Sequence, residues 1–184
     1  MSRPARLLLR RPQIAAVEPY LGLVDTQSGV RISGDGRAYF PIAERIVLAG
    51  RMQVGTVFGP DLRDIPNDFR LYSGGGGTVR GQDYQSLGVD LGGGVESGGK
   101  SFAAVSAEVR ANVFGNVSLV GFFDMGYVAE DSLFSGSGRS HSGAGIGVRY
   151  ATGIGPIRLD LAVPVDGPGP ADDIYAYIGI GQAF

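Results

Sequence analysis

The chain has 184 residues, a formal net charge of −2, no cysteine and a single histidine, His141. Disulfides and thiolate chemistry are excluded, nucleic-acid binding has no electrostatic basis, and one histidine is too few for a histidine-based metal site. Glycine is abundant at 32 residues and charged residues make up only 18%, low for a soluble domain. No apolar run approaches the roughly 20 residues of a membrane helix, so any membrane role falls to strands.

The N-terminus is basic (Arg3, Arg6, Arg10, Arg11) around Leu7, Leu8 and Leu9. That apolar run is too short for a signal peptide, so an export signal is expected outside this chain. Alternation and turn residues predict eight strands, near 13–22, 29–41, 44–57, 102–114, 116–128, 142–152, 156–165 and 173–184. Most are about as long as the roughly 9–11 residues that cross a bilayer at a tilt. Short turns follow at Ala43-Glu44, Phe114-Gly115-Asn116 and Thr152 to Pro156, giving an antiparallel meander.

Successive strand side chains point to opposite faces, so each strand can be divided by parity. Arg31, Asp35 and Arg37 oppose Val30, Ile32, Ala38 and Phe40; Arg45 and Arg51 oppose Ile46, Leu48, Met52 and Val54. Ser106, Glu108, Arg110 and Asn112 oppose Ala103, Val105, Ala107, Val109, Ala111 and Val113. Asp124 opposes Leu119, Phe123, Met125 and Tyr127, and Arg149 opposes Ile146 and Val148. Arg158 and Asp160 oppose Ile157, Leu159, Leu161 and Val163; in the last strand Tyr175 and Tyr177 oppose Ile174, Ala176, Ile178 and Ile180. A soluble lipocalin-like barrel that binds a small ligand and a membrane barrel both fit alternation alone. Small residues on the apolar face, and both signs of charge with many glycines on the other, favour a polar lumen and a lipid-facing exterior.

Residues 59–101 interrupt the meander with Gly74 to Gly77, Gly92 to Gly94 and Gly98-Gly99. A structureless loop of this length is unusual and points to a function. It holds a formal phosphate-loop match, Gly94 through Gly99-Lys100-Ser101, but such a loop must open a helix, and Phe102 to Val113 alternates as a strand. Glu108 and Asp124 share a face on neighbouring predicted strands. Two carboxylates there suit acid/base chemistry, but a structural role with the loop's Arg80 is the better reading. A guanidinium fork suits carboxylates, and a buried pair of them without a cation carries a desolvation penalty. No catalytic, cofactor-binding or metal residue is assigned.

Several motifs occur together in order: Val79-Arg80-Gly81 in the loop, Gly98 to Ser101 before a strand, Phe122-Phe123-Asp124-Met125-Gly126, Gly153 to Asp160, and a last strand ending in Phe184. From about residue 28 onward the chain resembles the C-terminal barrel half of the outer-membrane protein assembly superfamily (bacterial surface antigen family, BamA/TamA type). Gly153 through Pro164 and the ending Tyr177 to Gly181 resemble the TamA branch more closely.

The resemblance implies an all-β antiparallel membrane barrel, about eight strands here of a sixteen-strand whole, in the bacterial outer membrane. It implies no enzyme activity and no cofactor. Residues 28–184 would be the half-barrel, with a lumenal-type loop at 59–101; residues 1–27, including the first strand, form a segment of mixed patterning. Arg80 and Gly81 would lock to Glu108, Asp124 and Gly126, and Tyr177, Ile178, Ile180 and Phe184 would form a C-terminal β-signal. Implied partners are outer-membrane lipid, nascent β-barrel proteins and autotransporters, and the missing N-terminal strands with POTRA domains or a periplasm-spanning subunit. A passive porin is the competing function. The family's aromatic after Arg-Gly is replaced by Gln82, and Tyr84 is expected to stand in for it. A loop of forty-odd residues does not fit a closed eight-strand barrel, so an open sheet with two exposed edges is expected.

Overall fold

The structure is a computed structural model that describes residues 8–13, 17–20, 28–93, 95–167 and 172–181. Its strands are β1 (Leu8–Gln13), β2 (Val17–Tyr20), β3 (Gly29–Ala43), β4 (Ile46–Phe58), β5 (Val89–Asp90), β6 (Glu96–Ser97), β7 (Ser101–Phe114), β8 (Val117–Ala129), β9 (Gly138–Tyr150), β10 (Ile157–Asp166) and β11 (Tyr175–Ile180). One antiparallel sheet runs β1-β3-β4-β7-β8-β9-β10-β11, and β2 also pairs with β3. The predicted strand at 13–22 is instead two short segments, β1 opposite Asp35 to Tyr39 and β2 opposite Gly29 to Ile32. They share one place beside the long β3, so the sheet is eight positions wide. No pairing joins β11 to β1 or β2 among the described residues, and the sheet is open.

Register follows parity. In β7 and β8 the pairs Ser106↔Asp124 and Ala107↔Phe123 each put like with like on one face. Any one-residue slip would set Glu108 and Asp124 on the apolar side. On that outward side Leu48, Met52, Val105, Val109, Leu119, Phe123, Ile146, Leu159, Leu161 and Ile178 are all exposed. On the other side Ser106, Glu108, Asp124, Arg149 and Asp160 are buried. A water-soluble fold buries its apolar side; this one buries its charges and displays its hydrocarbon, as lipid requires.

What covers the charged face is the loop between β4 and β7. It is compact rather than structureless, with 3-10 turns at Leu62–Asp64 and Asn67–Phe69, the small β5-β6 hairpin, and isolated bridges Leu71↔Gly99 and Ser73↔Leu87. Leu62, Ile65, Leu87 and Val89 from the loop pack on Val57, Phe102, Ala104 and Val128 from the sheet. Near the long connections, then, the inner face is apolar, and it turns charged further down the strands. The phosphate-loop match has no helix after it: Ser101 opens β7, and Lys100 Nζ donates to the Pro60 carbonyl at 2.9 Å. Strand β9 begins at Gly138, four residues before the predicted start, because its ladder with β8 continues through Gly138↔Ala129. The four added residues (Gly138, Arg139, Ser140, His141) carry no apolar alternation to read. The last strand is described to Ile180, and Phe184 lies outside the described residues.

The outward face generates a test. Leu159→Arg puts a charge on that face in mid-strand β10, where a bilayer-facing arginine costs roughly 2–4 kcal/mol. Urea unfolding of the protein in lipid vesicles should show a loss of that size. Wild-type stability in the variant would place this face outside hydrocarbon.

Candidate functional site

Position 80 lies where the loop crosses the middle of β7, β8 and β10. Local backbone requires the glycine that follows: Gly81 has φ +88°, and a Cβ there would lie 2.5 Å from the Val163 carbonyl oxygen. Only glycine takes that conformation and approach without strain. The turn aims the Arg80 side chain into the sheet, where it is 3% exposed.

Its guanidinium meets three carboxylates. Arg80 Nε donates to Asp124 Oδ2 at 2.7 Å and Nη2 to Asp124 Oδ1 at 3.0 Å, a two-pronged pair. Nη1 donates to Glu108 Oε1 at 2.7 Å and lies 3.4 Å from Asp160 Oδ2. The Arg80 backbone N–H adds a bond to Asp124 Oδ2 at 3.1 Å. Below the guanidinium, 3.5 Å from its carbon, is the ring of Phe122, a cation–π contact. Burial alone would lower the Arg80 pKa, but hydrogen bonds and charge from Asp124 and Glu108 outweigh it and raise the value. The group stays charged.

Two further arginines balance the carboxylates. Arg110 Nε donates to Glu108 Oε2 at 2.7 Å, and Arg149 Nη2 donates to Asp160 Oδ2 at 3.1 Å while Nη1 bonds Oδ1. Arg80, Arg110 and Arg149 face the three carboxylates, with Arg158 within electrostatic reach of the same groups, and this pairing limits the desolvation cost. Sequence reasoning named Arg80, Glu108 and Asp124 as a group. It placed Arg110, Arg149 and Asp160 on the same face but not in the cluster, and it missed Phe122, whose even parity with Asp124 was the available signal. A second contact lies nearby: Arg51 pairs with Asp35 at 2.6 Å and donates to the Gly77 carbonyl at 3.0 Å.

Gly126 stands where β8 touches the loop, and a Cβ there would collide with Ser73 Oγ and the His141 ring. His141 is fully buried and its Nε2 lies 2.8 Å from Ser73 Oγ. Gln82 fills its own slot, 1% exposed, donating to the carbonyls of Ser142 at 2.8 Å and Asp166 at 3.0 Å. Tyr84 is 80% exposed and does not stand in for an aromatic here. An amide can serve because the pocket offers carbonyl oxygens. Of the β11 residues singled out, Ile178 and Ile180 point outward, and Tyr177 points in and touches the loop. Each carboxylate of this cluster is engaged by at least one arginine. What the arrangement can do is hold.

Removing the cation alone strands buried carboxylates, a change that costs roughly 3–5 kcal/mol. Arg80→Ala should therefore release the loop, read as protease cleavage within 59–100 at enzyme levels that leave the wild type intact. Arg80→Lys, which keeps charge but loses the fork and the ring contact, should fall between. Equal resistance in all three proteins would remove the cluster as the loop's anchor.

Comparisons with known proteins agree with this fold. Residues 16–184 match the Omp85 superfamily domain. The chain is 30% identical over 135 residues to the outer membrane protein assembly factor BamA of Nitratidesulfovibrio vulgaris, covering 71% of this chain and 17% of that protein. In fold it resembles the crystal structure of BamA from Haemophilus ducreyi lacking POTRA domains 1-3, with TM-score 0.65 and 18% identity over 86% of this chain and 35% of that one. The chain thus spans about a sixth of the length of that curated relative. Relatives of this kind are assembly factors and not enzymes, and they reside in the outer membrane. On the match across most of its length, together with an open strand meander that exposes hydrocarbon and buries charge, the chain belongs to the Omp85 superfamily of bacterial outer-membrane proteins.

Proposed function

We propose that this chain is the C-terminal half of an outer-membrane barrel that inserts or translocates other outer-membrane proteins. The observation that carries the reading is the loop arginine buried among Glu108, Asp124 and Asp160. A passive pore has no need of an arginine-anchored loop across its lumen. In this reading Arg80, Gly81, Glu108, Asp124 and Gly126 lock the loop, and residues 28–184 are one half-barrel unit. Strand β11 supplies the working edge. It is six residues long and pairs only with β10 among the described residues. Such an edge offers a template for an incoming client strand by β-augmentation. Tyr177, Ile178, Ile180 and Phe184 serve as the signal for the chain's own insertion. N-terminal barrel strands and POTRA domains, or a periplasm-spanning subunit, would complete the machine. Within the superfamily we assign the chain to the TamA side, with autotransporters among its clients, on the run from Gly153 through Pro164.

Because the chain has no cysteine, Ile178→Cys gives a unique thiol on the edge strand. In membranes from cells producing the chain, with a mild oxidant added to take up the two electrons, this thiol should form a mixed disulfide with a cysteine-bearing C-terminal strand peptide of a β-barrel client. Excess unlabelled peptide should compete. Absence of an adduct, with a steady wide conductance in planar bilayers, would instead make the protein a passive pore.

A further inference from the structure

One side chain of the edge strand reaches into the loop. The Tyr177 hydroxyl oxygen accepts a hydrogen bond from the Gly81 N–H at 3.1 Å, next to the locked Arg80. Its ring lies beneath Gly76, where a Cβ would come within 2.9 Å of Tyr177 Cδ1. The same ring packs on the cluster of Val120, Phe122 and Ala162, and Phe122 is the platform for the Arg80 guanidinium. In the ladder Tyr177 is the direct partner of Asp160, one of the three carboxylates of the lock. Among the described residues of β11, Tyr177 combines the hydrogen bond to the loop's Gly81 with packing on the aromatic support of Arg80.

We propose that Tyr177 is a positioning residue that couples the state of the loop to the order of the edge strand. The proposal rests on the reading of β11 as the working edge and names what regulates it. The physical basis is a shared set of contacts. With the loop seated, Gly81 and Gly76 hold the Tyr177 hydroxyl and ring, and β11 gains a tether beyond its single ladder to β10. With the loop displaced, both contacts go, and a six-residue strand is left on one ladder. Edge strands with one ladder open readily. Coupling of this kind is reciprocal: whatever orders β11 also seats the loop. A client strand pairing with β11 would thereby be sensed at Arg80.

The test is hydrogen exchange on the full chain refolded in detergent micelles, following peptides from β11, from Gly74 to Gly81, and from β7 and β8. Tyr177→Phe deletes only the hydroxyl. It should speed exchange in β11 and in Gly74 to Gly81 by about three- to tenfold, the net effect of one hydrogen bond, with β7 and β8 unchanged. Arg80→Ala should speed β11 exchange in the wild-type background and change it less than about twofold in the Tyr177→Phe background, the signature of a shared route. Gly76→Ala, which presses the ring from the loop side without touching the carboxylates, gives the same comparison if Arg80→Ala fails to fold. The proposal is overturned if the loop substitution keeps its full effect on β11 when the hydroxyl is gone. It is equally overturned if Tyr177→Phe leaves both segments at wild-type rates, or loosens β7 and β8 to the same degree. The outcome is separable from the client adduct at Ile178→Cys. Coupling without an adduct removes the assembly reading and keeps the coupling; an adduct without coupling does the reverse.

Discussion

The burial of one guanidinium among three carboxylates sets the terms for the rest of this molecule. Arg80 is brought down to the sheet by the loop, and Asp124, Glu108 and Asp160 rise from three different strands to meet it. None of these groups is stable alone where it sits. Unpaired, each would carry the penalty of an ion removed from water. Together with Arg110 and Arg149 they form a paired cluster whose members hold one another in place. The interaction fixes the loop against the sheet and also fixes β7, β8 and β10 relative to each other. A one-residue slip in any of those strands would take its carboxylate out of the cluster. The lock and the register therefore support each other.

That constraint explains the glycines that matter. Gly81 turns the chain so that Arg80 can descend, and its missing side chain leaves room for the Val163 carbonyl. Gly126 does the same from the sheet side, letting Ser73 and His141 approach. It also explains the division of the inner face. At the end with long connections, Val57, Phe102, Ala104 and Val128 pack on loop leucines and isoleucine. The loop is attached there by apolar burial, which is tolerant of position, and at Arg80 by charge-assisted hydrogen bonds, which are not. The apolar patch holds the loop near; the arginine decides where it stops.

Much of this was legible in the sequence, for a physical reason. A sheet between lipid and a charged lumen writes its register into every second residue, so parity placed Glu108, Asp124, Arg149 and Asp160 on one face without a structure. The strands with the strongest alternation, β3, β4, β7, β8 and β10, were located to within a few residues. Elsewhere the signal failed for identifiable causes. Gly138 to His141 carry no apolar alternation, so the start of β9 was misplaced. Phe102 and Ala104 share parity with Ser106 but are apolar, and a reading that equated the inner face with polarity passed over them. The pairing of Tyr177 with the loop joins residues 96 apart in the chain, and no local pattern encodes a contact at that distance. Tyr84 was expected to stand in for the aromatic that Gln82 replaces, and it is exposed instead. The pocket accepts the amide because the Ser142 and Asp166 carbonyls point into it, which only the fold can show.

The distribution of strength across the sheet carries the last step. Among the described residues, strands β3, β4, β7, β8, β9 and β10 have ladders on both sides, while β11 has one and is the shortest strand on that side of the sheet. Stability is not uniform in such a structure, and the elements that move come from its weak end. Here the weak end lies directly beside the most strongly held point, since Tyr177 stands opposite Asp160. On the proposed function, a strand arriving at β11 would act first on the contact between the edge and the loop, because the cluster resists displacement of the two-ladder strands behind it. The same cluster that stiffens the sheet leaves its looser contacts at β11, which has a single ladder among the described residues.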